Sequence, residues 1–298
     1  MASQPALARA DFSVADNGTI AWRPGTVGLA EVVGFDRHGT ALDTAGPAAP
    51  IDSIALSPAG DRVLVGGVSD WLAEFGRKER SALPPDVNWR FWSSDGRLVG
   101  MRGSTVLLRA VDGSRTETLG NVPSEVAGVW ALSPDGKVII GLLNGRFARA
   151  QVSEMSNLAN WRTFTDTDDS QVDASLSPDG RYVLYNSDTG VYVQDVSGDR
   201  HRERIAPQGV DATWRRDGRE IVFIAENAVW SIAVSEPRGA SAGPTFGAPQ
   251  KLFGGLRSAP ATVAQSQALA VSRDGSRFYF VQGVKQPVAD VIHVKLHS

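Results

Sequence analysis

One phrase, repeated seven times, limits this chain more than any other feature: a short apolar run, a polar turn ending in glycine, then a second apolar run. The copies begin at Phe12, Ile54, Arg90, Trp130, Ala174, Ala212 and Leu269. Their turn glycines are Gly18, Gly60, Gly96, Gly136, Gly180, Gly218 and Gly275, separated by 42, 36, 40, 44, 38 and 57 residues. The turn chemistry makes each copy a β-hairpin. Proline presets the first corner, aspartate bonds the turn backbone, and glycine takes the left-handed position without steric cost. Asn-Gly or Asp-Gly between apolar runs is the strongest short hairpin signal.

A third β run follows each hairpin, from residues 30–35 in the first copy to 291–296 in the last, and a weaker fourth run ends six of the copies. No long stretch shows a helical apolar period. Four strands in a repeat of about 40 residues is the period of a propeller blade. The expectation is therefore all-β: a single β-propeller of four-stranded blades. Seven blades follow from the count, with six as the alternative if one hairpin is displaced from the ring. Residues 12–298 form the propeller in this reading. The last copy stops after its third run, and an unpaired edge needs a partner, so the segment 1–11 is expected to close the ring.

The totals suit such a domain. A chain of 298 residues with 42% hydrophobic and 21% charged residues can bury a large core and is not disordered. The 31 glycines fit a fold with many tight turns. A net charge of −3 argues against a general nucleic-acid binder. No apolar run reaches the 18 residues of a membrane span, and the N-terminus lacks the basic start and apolar stretch of a secretory signal. Cysteine is absent, which excludes disulfides, thiolate metal sites and cysteine nucleophiles.

The turn sequence, intact at Ser133-Pro-Asp-Gly-Lys137 and Ser177-Pro-Asp-Gly-Arg181, resembles the repeat of TolB-like propellers. Degenerate copies are Ser57-Pro-Ala-Gly-Asp61, Ser93-Ser-Asp-Gly-Arg97, Arg215-Arg-Asp-Gly-Arg219 and Ser272-Arg-Asp-Gly-Ser276. The opening copy, Phe35-Asp-Arg-His-Gly39 and Val271-Ser-Arg-Asp-Gly-Ser-Arg-Phe278 look like the C-terminal propellers of bacterial membrane-anchored serine/threonine kinases and of some winged-helix regulators. That resemblance implies an extracytoplasmic sensor portion of a larger signalling protein, with a cytoplasmic location as the alternative. It implies a protein or small-molecule ligand, with no nucleic acid and no membrane insertion of this chain itself.

Catalytic motifs do not emerge. The histidines His38, His201, His293 and His297 have no partner at metal-ligand spacing. Asp166-Thr-Asp-Asp-Ser170 lacks the glycine and terminal glutamate of a calcium loop and reads as an acidic connection. No Gly-x-Ser-x-Gly elbow or phosphate-binding glycine loop occurs. The expectation is a non-enzyme without cofactor, with any bound metal left open.

Alignment on the turn glycines offers one candidate site. Seven residues before each glycine lie Asp11, Ser53, Trp89, Val129, Asp173, Asp211 and Ala268. With Asp52 beside Ser53, the carboxylates Asp11, Asp52, Asp173 and Asp211 would give one channel mouth a negative potential that attracts cations. Trp89, in the cluster Asn88-Trp-Arg-Phe-Trp92, joins that tentative ligand-binding set because Trp and Arg dominate binding hot spots. The bland alternative is that the aspartates bond neighbouring backbone and the tryptophans fill the core. Other readings also stay open: a hydrolase or lyase with a metal or cationic substrate at this mouth, or a TolB-like periplasmic scaffold.

Overall fold

A computed structural model describes residues 11–14, 20–23, 29–165, 171–198, 202–235, 243–256, 268–284 and 293–295; side chains are described for these except at 11–23, 171–172 and 293–295. Each hairpin forms where the turn chemistry places it. The glycine N–H closes back onto the residue three earlier in all six described turns, for example Gly60 to Ser57 O at 2.9 Å and Gly136 to Ser133 O at 2.8 Å. These glycines sit at φ between 71° and 84°, the region that L side chains avoid. The serine hydroxyl then donates to the turn aspartate, as in Ser133 to Asp135 at 2.6 Å, and accepts the N–H that starts the next strand.

Each hairpin extends into an antiparallel sheet. The first complete one runs Ile51–Leu56, Arg62–Gly67, Trp71–Glu74 and Arg80–Ala82 in simple up-and-down order. Residues 88–121, 126–163 and 171–206 repeat it, and residues 210–254 repeat it with a divided outer strand, Thr245–Phe246 and Gln250–Gly254, both paired to Ala228–Ser235. We number these blades 1 to 5. Blade 6 is composite. Leu269–Val271 and Arg277–Gly283 supply its inner half, and Ala30–Asp36 with Ala41–Ala49 supply its outer half.

Six blades therefore form the ring among the described residues, the alternative count and not the seven that the hairpins suggest. The physical reason lies in the first copy of the repeat. Its hairpin, Asp11–Val14 with Ile20–Arg23, pairs with His293–Lys295 in a separate three-stranded sheet. Its third and fourth runs pair with the last hairpin instead, in register from Arg277↔Asp36 to Gly283↔Ala30. The closing element is thus residues 30–49. The segment 1–11, expected to close the ring, lies outside the described residues apart from Asp11.

The ring is held by its interfaces. Inner strands of consecutive blades lie side by side, and that of blade 6 returns to that of blade 1. Six apolar clusters fill the six junctions. Alternation explains them: Val63 and Val65 face blade 6 while Leu64 faces blade 2, and Val183 faces blade 3 while Leu184 faces blade 5. Central strands buried on both faces read as continuous apolar runs. Each large buried side chain, such as Phe147 or Phe223, contributes roughly 1.5–3 kcal/mol of burial.

Candidate functional site

The six inner strands enclose a cavity of about 370 Å³ on the ring axis. Every blade contributes a short stretch of its inner strand and turn, from Ile54 in blade 1 to Leu269 in blade 6. The walls mix apolar side chains, Ile54, Phe91, Trp92, Trp130, Leu132 and Leu176 among them, with polar groups such as Ser175 and Thr213. Trp92 is fixed by its indole N–H, which donates to Ala55 O of blade 1 at 2.9 Å. The two ends of this channel differ in charge.

The end where the inner strands begin is the one the aligned aspartates mark. Here the inner strand slips register against the second strand in blades 1 to 5. Asp173 and Asp211 occupy these bulges with φ of 58° and 55°, a left-handed conformation that aspartate tolerates. Both are buried, 3% and 5% exposed. Asp211 borders the axial cavity, but its Oδ1 accepts the N–H of Ala268 in blade 6 at 2.9 Å. Asp173 Oδ2 faces Asn186 Nδ2 at 3.5 Å. Trp89, 2% exposed, packs between blades 1 and 2, and its indole N–H has no hydrogen-bond partner. Asp52 is half-buried, and burial pushes its carboxyl above the usual range. Asp11 belongs to the separate sheet, and its side chain lies outside the described residues. Of the five residues, Asp211 lines the axial cavity, and Asp52, Trp89 and Asp173 stand outside its lining.

Alignment of the repeats overlooked Asp70, which follows the second strand of blade 1. Its Oδ2 accepts the N–H of Trp89 at 2.7 Å, and its Oδ1 that of Gly67 at 3.4 Å. Burial raises its pKa, the two N–H donors and the charge of Arg90 oppose that rise, and Asp52 adds to it. Arg90 is itself pushed down by burial, with Asp70 opposing, and its guanidinium lies 5.9 Å from the Trp130 ring centroid. Asp70 and Asp211 therefore do the same job at different junctions. Each accepts the N–H that opens the next blade's inner strand.

The turn-bearing end is cationic. Two residues before the turn glycine stand Pro58, Ser94, Pro134, Pro178, Arg216 and Arg273, all bordering the cavity. Arg216 and Arg273 belong to adjacent blades, and burial, then the charge of Arg273, lowers the pKa of Arg216. The signal was present in the sequence: these are the two copies in which arginine replaces the proline of the turn phrase. Of the other expected features, His38 sits in the exposed turn after Ala30–Asp36, while His201 and residues 166–170 lie outside the described residues. Among the described residues no cluster of three His, Asp or Glu side chains suits a metal ion, and no helix is long and apolar enough to cross a membrane.

Similar folds occur in solved structures. A protein described as TolB from Agrobacterium tumefaciens superimposes with a TM-score of 0.58 at 14% identity, covering 87% of this chain and 99% of that one. The likeness is one of fold. An oligogalacturonate lyase in complex with manganese gives a TM-score of 0.46 at 13% identity over 90% of this chain and 76% of its own. A nidogen/laminin complex gives 0.49 at 9% identity over 68% and 89%. A shared fold by itself does not set function. No family model matches the sequence, and no curated protein is similar to it.

Proposed function

We propose that this propeller is a non-enzymatic binding module that admits a small ligand, or the end of a protein segment, into its axial channel. The observation that carries the reading is the cavity itself: about 370 Å³, walled by all six blades, with aromatic and aliphatic side chains beside a few polar groups. Ligand sites are concave, mostly apolar and equipped with a few oriented polar groups. The turn phrase and its likeness to kinase-linked propellers support a place for this module in the extracytoplasmic sensor of a larger regulator.

The test is occlusion. Thr213 lines the cavity and is half-buried, so Thr213→Trp fills the channel from one wall. Compounds that raise the melting temperature of the unmodified protein should lose that effect in the variant, since stabilisation by a ligand follows its occupancy. Equal shifts in both proteins would remove the channel as the site.

A second reading has one observation in its favour. Asp52 and Asp70 carry raised pKa values at the opposite end, a property that clusters at functional sites. An enzyme acting on a cationic substrate there would lose turnover on Asp52→Asn, whereas the binding module keeps its ligand affinity.

A further inference from the structure

We infer that the turn-bearing mouth is a receptor for a carboxylate carried on an apolar or aromatic body, held by Arg216 and Arg273. The inference rests on the channel being the ligand site and adds what enters it and which way round.

Placement comes first. Blades 5 and 6 are neighbours, and their two arginines occupy one repeat position on the cavity rim. Arg216 reaches from blade 5 towards blade 2, directly opposite in a ring of six, where its Nη2 donates to Ser94 O at 3.4 Å. That contact is long and weak. It nevertheless carries the guanidinium over the channel opening. Arg273 borders both the axial cavity and a shallow surface hollow between the turns of blades 6 and 1.

Charge balance comes second. Three neighbouring arginines are held in ion pairs. Arg215 is paired with Asp217 and Glu220, Arg37 with Glu220, and Arg97 with Asp95 and Glu117. The turn carboxylates are also engaged: Asp217 with Arg215, Asp274 with Ser272 and Ser276, Asp135 with Ser133. Neither Arg216 nor Arg273 forms an ion pair among the described residues. Two like charges face each other at the rim without a counter-ion, and an incoming anion removes that repulsion. The planar guanidinium fork matches a carboxylate in bidentate geometry, which a lysine at the same place would not.

The body of the ligand follows from the walls. Beyond the arginines the channel offers Trp92, Phe91, Trp130 and Leu132, and no further basic residue lines it. An aromatic ring buried there with its carboxylate at the rim satisfies both environments. A free aryl-alkyl acid and the C-terminus of a peptide ending in an aromatic residue present the same chemistry.

Calorimetric titration of the full chain separates these sources and tests the inference. The probes are 3-phenylpropionate, its amide, and a tetrapeptide ending in phenylalanine with a free or an amidated C-terminus. At least one free acid should bind at least tenfold tighter than its amide, with affinity falling as salt rises. Arg216→Ala and Arg273→Ala should each weaken that acid tenfold or more, and Thr213→Trp should abolish binding. Both arginines are exposed, so their removal should leave the melting temperature almost unchanged. Absence of binding by both acids, equal affinity of acid and amide, or full affinity in both arginine variants overturns the inference. Neutral ligands that bind the unmodified protein but not Thr213→Trp would leave the channel reading standing while the anion assignment falls.

Discussion

Arg37 grips Glu220 with both ends of its guanidinium, Nη2 to Oε1 at 2.7 Å and Nη1 to Oε2 at 3.1 Å. The pair joins residues 183 positions apart, from the turn after Ala30–Asp36 in the composite blade to the second strand of blade 5. Arg37 also donates to Gly275 O at 2.7 Å, and Arg215 adds a second cation to Glu220 at 2.9 Å. Glu220 is 6% exposed, and removing one partner of a buried ion pair is destabilising. Arg37→Ala should cost roughly 1.5–3 kcal/mol, the range for hydrogen bonds to charged groups. Glu220→Ala should cost more, because it removes the ion pair of Arg37 and one of the two made by Arg215. Urea unfolding of both variants and the double variant checks the order, with a coupling energy expected between the two sites.

The composite blade's other junction, with blade 1, contains a glycine with no room for a side chain. Gly46, in the outer strand of blade 6, has φ of 68°, and a Cβ there would lie 2.4 Å from Cζ3 of the buried Trp71 in blade 1. Gly60, at φ 78°, has open space around its would-be Cβ. Gly60→Ala should therefore cost about 1–2 kcal/mol, from left-handed strain alone. Gly46→Ala should add a further 1–3 kcal/mol of overpacking. Equal losses in thermal unfolding would mean that Trp71 has somewhere to move.

These two junctions of the composite blade show what the sequence did and did not make legible. Hairpins, turn glycines and strand type were readable because turn chemistry and apolar alternation are local. The blade count was not, because alternation shows that residues 30–36 form a strand but not which edge they join. Val33 and Phe35 could pair with their own hairpin or with Phe280 and Phe278, and either choice buries apolar faces. The 57-residue gap between Gly218 and Gly275 was the visible clue to irregularity, and blade 5 uses part of it for a divided outer strand. At the site, alignment found the position where inner strands begin. It could not show that bulges turn Asp173 and Asp211 inward, or that Arg216 and Arg273 share a rim.

Carboxylates on the two faces should respond to acid in opposite senses. Ser272 and the Ser276 N–H and hydroxyl hold Asp274 down to about 2. Its stabilising contribution is complete above the unfolded value near ~3.9 and is lost as pH falls towards about 2. Asp52 is raised by burial. Its ionisation therefore disfavours the fold, and stability is lost as pH rises through the unfolded value to the folded one. Asp52→Asn should be neutral below about pH 4 and should gain roughly a few tenths of a kcal/mol near neutrality, discounted for solvent contact. Asp274→Asn should lose stability near neutrality and match the parent near about pH 2. Chemical denaturation across this range measures both curves, and a shared sign would contradict the assignment.

Asp211 distinguishes a structural carboxylate from a ligand-binding one. Its Oδ1 accepts the Ala268 N–H at 2.9 Å while its backbone holds φ at 55°. Asparagine keeps an acceptor oxygen and tolerates the left-handed region, so Asp211→Asn should cost less than about 1 kcal/mol. Alanine loses the acceptor, leaves a buried N–H unsatisfied and strains the bulge. Asp211→Ala should therefore cost about 2–4 kcal/mol. A cation-binding role predicts a different pattern. Removal of the charge would then matter more than removal of the acceptor, and Asp211→Asn would lose ligand affinity while keeping its stability. Unfolding free energies set beside titration with a divalent cation or an alkylammonium probe decide between the two patterns. The geometry favours the first, since the carboxylate that borders the channel is already committed to the backbone of the next blade.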